Sequence, residues 1–151
     1  MELTPNFSLE EFTLSNTAVR LGIDNTPSIE VINNLSLLVK FVLEPLRTKL
    51  AEKFGKPTPV IITSGYRSPK LNAAVGGSKT SQHLEGKAAD IHVPGMTTEE
   101  LFLFITENLS YDQCIQEFDS WVHISWANRN ETLRATKVKG ATGTITKYTK
   151  V

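Results

Sequence analysis

The sequence predicts an α+β fold in which N-terminal helices pack on a small, mainly antiparallel sheet. Helix-period apolar spacing dominates the first third of the chain, and short β-branched runs with one inserted helix dominate the remainder. The last two runs are joined too tightly for a parallel crossover, so they must form an antiparallel pair.

Ser8-x-x-Glu11 has the form of a capping box, which starts a short helix. From Ser28 to about Phe54, Ile29, Val31, Ile32, Leu35, Leu38, Val39, Val42, Leu43, Leu46 and Leu50 recur at three- and four-residue intervals. That pattern is a long amphipathic helix. Pro45 lacks an N–H and should kink or restart it, and Gly55 with Pro57 ends it. Val60-Ile61-Ile62-Thr63 reads as a buried strand. Ser64 to Ser81 carries Gly65, Pro69, Gly76 and Gly77 around a short helix at Lys70 to Val75. A connection of that length in a compact domain points to function. Lys87 to Val93 is the next strand, closed by Pro94-Gly95, and Thr97 or Thr98 caps a helix running to about Asn108. Asp112 to Phe118 and Trp121 to Trp126 form two strands around a turn at Asp119-Ser120. Beyond Ala127 the chain is polar, with Thr144 to Tyr148 a candidate edge strand and the Lys and Thr residues after Arg134 a solvated face.

A chain of 151 residues fits one domain spanning 1–151. With 40% hydrophobic and 21% charged residues it is an ordinary globular composition. Lys+Arg and Asp+Glu each number 16, so no whole-protein field draws the chain to nucleic acid, and a polyanionic substrate is disfavoured. No apolar run approaches the roughly 20 residues that span a bilayer, so no membrane insertion is expected. The N-terminal MELTPNFSLEEF lacks the basic and apolar regions of a signal peptide, which implies synthesis in the cytoplasm. A monomer is expected. The single cysteine, Cys114, sits in an apolar neighbourhood and reads as a small buried hydrophobe.

The three histidines, His83, His92 and His123, all fall in or beside the expected strands. A catalytic zinc takes three N or O ligands and keeps one position open for water, so two histidines and an aspartate suffice. Asp90 follows His83 by seven positions, an odd separation that would put them on opposite faces of one uninterrupted strand. Gly86 removes the conflict by permitting a turn between them, and Ala88 and Ala89 leave room beside a metal. His123 alternates with Trp121 and Ser125 on one strand face. The expected ligands are His83, Asp90 and His123, with the sheet carrying the site. His92 reads as packed or solvated.

Hydrolysis also needs a base for the water. Glu117 and Asp119 precede His123 by six and four residues, so strand parity admits either. Glu117 is favoured because a carboxylate within Cys114-Ile115-Gln116-Glu117-Phe118 is costly to desolvate unless it is used, whereas Asp119 has an adequate role in the turn. Arg67 could grip a substrate oxygen with its guanidinium. Ser81 could hold substrate or make only a local turn bond. Trp121 and Trp126 read as core or cleft-wall aromatics.

Three motifs occur in order: T-S-G-Y-R-S-P-K-L-N from Thr63 to Asn72, S-x-H-x-x-G-x-A-x-D from Ser81 to Asp90, and W-V-H-I-S from Trp121 to Ser125. Together they resemble the zinc D-Ala-D-Ala carboxypeptidases, a group that extends to phage endolysins and the hedgehog signalling domain. The resemblance runs from about Phe7 to Ser125 and implies a hedgehog/DD-peptidase-like fold. It also implies Zn²⁺ on His83, Asp90 and His123, Glu117 as general acid/base, and Arg67 and Ser81 holding substrate. The implied partner is the peptidoglycan stem peptide, reached by holin-type release or from a virion. Some relatives carry an acid where this chain has Ser120, or a histidine where it has Trp121, which keeps the base open between Glu117 and Asp119. Two rivals remain: a catalytically silent zinc-containing binding module on the same scaffold, and a non-haem iron oxygenase. The second usually shows His-x-Asp, and the order here is Asp90-x-His92.

Overall fold

The structure is a computed structural model and describes residues 1–127, 130–141 and 143–151. At the N-terminus, β1 (Glu2–Thr4) and β2 (Phe7–Ser8) form a small hairpin ahead of α1 (Leu9–Thr13). The Glu11 carboxylate accepts from the Ser8 N–H at 2.7 Å, as the capping box requires. A further short helix, α2 (Asn16–Leu21), is capped by Ser15 and stopped by Gly22. Neither the hairpin nor α2 was expected from the sequence.

The long helical segment divides into α3 (Ile29–Leu38), a π-helical turn (Val39–Leu43) and α4 (Glu44–Phe54). Pro45 has no N–H to return to Phe41, and the Glu44 N–H reaches back five residues to the Val39 carbonyl. The restart expected at Pro45 therefore takes the form of a widened turn. Val39, Val42 and Leu43 stay fully buried through it.

Six strands make the main sheet: β3 (Ile61–Ser64), β4 (Ala88–His92), β5 (Gln113–Glu117), β6 (Trp121–Ser125), β7 (Glu131–Gly140) and β8 (Gly143–Lys150). Their spatial order is β3-β4-β6-β5-β7-β8, and every neighbouring pair is antiparallel except β5 with β7. Between β3 and β4 lies α5 (Pro69–Ala74), and between β4 and β5 lies α6 (Thr98–Asn108), whose N-cap Thr97 forms a capping box with Glu100. Ala89, Ile91, Cys114, Val122 and Ile124 project from one sheet face into a core with Leu35, Leu38, Leu46, Leu101 and Phe102 from the helices. The residues between them, Asp90, His123, Ile115 and Glu117, face the other side.

The α+β class and the helices-on-sheet arrangement are as expected, with corrections in detail. Strand β3, expected to be buried, is an edge with Ile61 38% exposed, because among the described residues nothing pairs beyond it. The β5–β6 turn centres on Phe118 and Asp119, at φ 58° and 55°, one residue earlier than expected. The Ser120 N–H closes it onto the Glu117 carbonyl at 2.9 Å. Thr136, Lys137 and Lys139 after Arg134 are exposed as expected, but they belong to the ten-residue β7, a strand not expected from the sequence, which buries Leu133 and Ala135. The candidate edge strand at Thr144 to Tyr148 exists as the longer β8. Among the described residues, no helix is long and apolar enough to cross a membrane.

Candidate metal centre

Strand register brings the first two residues of the site together. Asp90 on β4 pairs directly with His123 on β6, so their side chains leave the same face side by side. His83 arrives from a 3₁₀ turn (Gln82–Glu85) whose N-cap is Ser81 and whose exit is Gly86 at φ 72°. That left-handed exit reverses the chain, so Lys87 donates to the Gln82 carbonyl at 3.1 Å and β4 runs back beneath His83. A Cβ on Gly86 would lie 2.8 Å from the Val31 carbonyl oxygen, so the turn also depends on a close approach to α3.

His83 Nε2 stands 3.2 Å from Asp90 Oδ1, and His123 Nδ1 stands 3.3 Å from the same oxygen. All three side chains are buried, and one ligand atom from each lies within 4.8 Å of the others. The Gly65 carbonyl accepts from His83 Nδ1 at 2.7 Å, which puts the ring proton on that nitrogen and leaves Nε2 as a lone-pair donor toward the cluster. Three lone-pair donors packed together in a buried site repel unless a cation or proton lies among them. Two imidazoles and one carboxylate suit zinc, so the donor set fits the expected metal. Burial alone would raise the Asp90 carboxyl. When a proton rather than a metal ion lies among the donors, the charge of His83 and hydrogen bonds from His123 and His83 overcome it and hold the group well below the usual carboxylate range.

Glu117 lies beside this cluster, with Oε1 3.9 Å from His123 Nδ1. Its carboxyl is raised by burial and by the charge of Asp90, against the opposing pull of His123, Arg67 and Lys137. Asp119 is directed elsewhere: its carboxylate accepts from the Gln116 amide and its own N–H donates back to Gln116 Oε1 at 3.0 Å. Gln116 belongs to the opposite sheet face, so Asp119 serves the turn.

Arg67 is held in three directions. Its Nε donates to Ser64 Oγ at 3.2 Å, Nη1 donates to Asn72 Oδ1 at 2.9 Å, and Nη2 stands 3.8 Å from Asp90 Oδ2. Asn72 in turn donates to the Ser78 carbonyl at 2.9 Å, tying the arginine to the loop that overhangs the site. A Cβ at Gly77 would fall 2.1 Å from Asn72 Oδ1 and 2.6 Å from Arg67 Nη1, so a side chain there would displace the Arg67–Asn72 pair. Ser81 Oγ accepts from the His83 N–H at 3.2 Å, a local bond, and also lines the cleft. His92 shares the strand face with Asp90 but is exposed and outside the cluster.

The cleft in front of these residues has a volume of about 620 Å³. One wall is the Gly76-Gly77-Ser78 loop with Arg67; the other holds Phe118, Trp121, Leu133, Lys137, Thr146 and Tyr148. The last four come from β7 and β8 and were absent from the expected site. The alternation of Leu133, Ala135 and Lys137 was the available signal, diluted by the Thr and Lys residues around it.

A family model described as Peptidase M15 matches residues 5–125, a span that contains the His83, Asp90 and His123 cluster together with Arg67, Ser81 and Glu117. The chain belongs to the M15 peptidases. Membership makes it a metallopeptidase by family, and the M15 peptidases are zinc enzymes that act on peptidoglycan peptides. No curated protein matches the chain. The M15 match stops at the end of β6, so β7 and β8, which build part of the cleft, lie outside it.

Proposed function

We propose that this M15 peptidase hydrolyses peptide bonds in peptidoglycan stem peptides, as a D-Ala-D-Ala carboxypeptidase or an endolysin-type endopeptidase, with zinc on His83, Asp90 and His123. The observation that carries the reading is the convergence of the three donors beside Glu117 in an open cleft. Zinc bound there supplies a Lewis acid for the scissile carbonyl and lowers the pKa of water toward neutrality.

The chain's own residues supply the proton handling and the substrate grip. Glu117 takes the proton from the attacking water as the water oxygen bonds to the carbonyl carbon. It then delivers that proton to the leaving nitrogen as the C–N bond breaks. The burial that raises its carboxyl brings it closer in basicity to such a role. Arg67, with Nε and Nη1 fixed by Ser64 and Asn72, presents Nη2 toward substrate oxygen at the carbonyl that gains negative charge. Ser81 contributes a hydroxyl at the cleft edge. Action on the wall follows release through a holin-type lesion or delivery on a virion.

The test is digestion of purified muropeptides, read by mass spectrometry. Wild type should release products whose masses name the bond cut. Glu117→Gln should keep stoichiometric zinc and lose at least about a hundredfold in rate. Full activity in Glu117→Gln removes Glu117 from the mechanism, and a zinc-loaded wild type that cleaves no muropeptide leaves the catalytically silent binding module as the function.

A further inference from the structure

Beyond residue 125, where the family match ends, the chain adds a hairpin whose inner face continues the catalytic face of the sheet. Register sets Ala135 beside Glu117, Tyr148 beside Ala135, and Lys137 beside Thr146. Lys137 therefore stands on the same face as Glu117, one alternation further along the strand. Its Nζ lies 4.6 Å from the Phe118 ring centroid and donates to the Thr146 hydroxyl at 2.9 Å. Among the described residues no carboxylate lies within ion-pairing distance of it. An ammonium steered by an aromatic face and one hydroxyl, with further donors to spare at the edge of a cleft, is built to receive an anion. Its position on paired strands fixes it relative to Glu117 more firmly than a loop would. Ala135, paired with Glu117, is the apolar residue between the two, and Ile115 with Leu133 continues that apolar floor one alternation back along the strands.

We propose that the β7–β8 hairpin is the specificity wall of the cleft and that Lys137 docks a carboxylate of the peptide substrate. The carboxylate is either the terminal one or that of an acidic side chain, and both present the same planar anion to the ammonium. This rests on the peptidase reading for the identity of the ligand, while the docking itself is measured by binding.

The test uses the full chain carrying Glu117→Gln and loaded with zinc, titrated by calorimetry with four forms of one peptidoglycan stem pentapeptide. These are the free form, the form amidated at the C-terminus, the form amidated at the acidic side chain, and the form amidated at both. One carboxylate should strengthen binding by about tenfold over its amide, the scale of a charged hydrogen bond at a partly exposed site. Which amidation removes the gain names the source. Adding Lys137→Met should abolish the difference, and Lys137→Arg should restore most of it. Equal weakening of all four peptides by Lys137→Met, no dependence on either carboxylate, or no binding of any form overturns the proposal. Should wild type leave the free peptide uncleaved while the carboxylate dependence holds, the peptidase reading fails and the docking role stands.

Discussion

Asp90 and His123 occupy directly paired positions of β4 and β6, and His83 reaches the same Asp90 oxygen from the turn above them. Two of the three donors are thus placed by sheet register, the most rigid device in the fold, and only His83 depends on a local turn. Removing an imidazole leaves two donors, too few for a closed set with one open position. His123→Ala should lose zinc in a dialysed sample measured by elemental analysis, whereas His92→Ala, on the same strand face as Asp90 but exposed, should keep one equivalent. Loss of zinc from His92→Ala would displace the site from the three donors named.

Gly86 bears two separate demands. A side chain at φ 72° costs about 1–2 kcal/mol, and here it would also press on the Val31 carbonyl and Val31 Cγ1, each 2.8 Å from the new Cβ. Gly55 shares the conformation, at φ 69°, but has open space around it. Gly86→Ala should therefore lower the Tm by more than Gly55→Ala does, by several degrees on the scale of roughly 2–4 °C per kcal/mol for a chain of this size. It should also weaken zinc binding, because His83 sits on the displaced turn. Equal Tm losses in the two variants would show that α3 yields and the close contact carries no constraint.

Those outcomes bear on what the chain reveals before it folds. The triad was legible because each part is local: Gly86 announces a reversal between His83 and Asp90, and His123 alternates within a single five-residue strand. The capping boxes at Ser8 and Thr97 were legible for the same reason. Strand β7 was not, because its pairing with β5 is parallel and its inward Leu133 and Ala135 stand among Thr and Lys residues that read as solvated. The exposure of β3 follows from its place at the end of the sheet order, paired with β4 alone among the described residues, which its β-branched sequence cannot report. The turn shifted by one residue because Phe118 adopts a positive φ that side chains of its size rarely take. Lys137 and Tyr148 escaped notice as cleft residues because strand pairing, and no motif, carries them there.

Cys114 offers a check on the core side of the sheet. It is fully buried opposite Ile124, and burial pushes its thiol well above the ordinary range, so the native state holds it as an unreactive thiol. Labelling by an aromatic disulfide should proceed at least about a hundredfold more slowly in native protein than in guanidinium, since it must wait for the sheet to open. Fast labelling under native conditions would mean that β5 and β6 separate readily, and with them Glu117 and His123.

Glu117 should leave its mark on stability as well as on rate. Its carboxyl is raised in the fold, first by burial and then by the charge of Asp90. A raised acid favours the protonated form in the folded state. The metal-free protein therefore carries no penalty from this group below its unfolded pKa of about 4.3, and loses stability as pH rises from there through the folded value. Glu117→Gln removes the ionisation. Thermal melts of the metal-free proteins should show the variant more stable than wild type at pH 7, with the gap closing as pH falls toward 4. Arg67, His123 and Lys137 pull the other way on the same carboxylate. A variant that melts with wild type at every pH would mean that these three side chains already offset the burial, and Glu117 would then sit beside the metal ligands without strain.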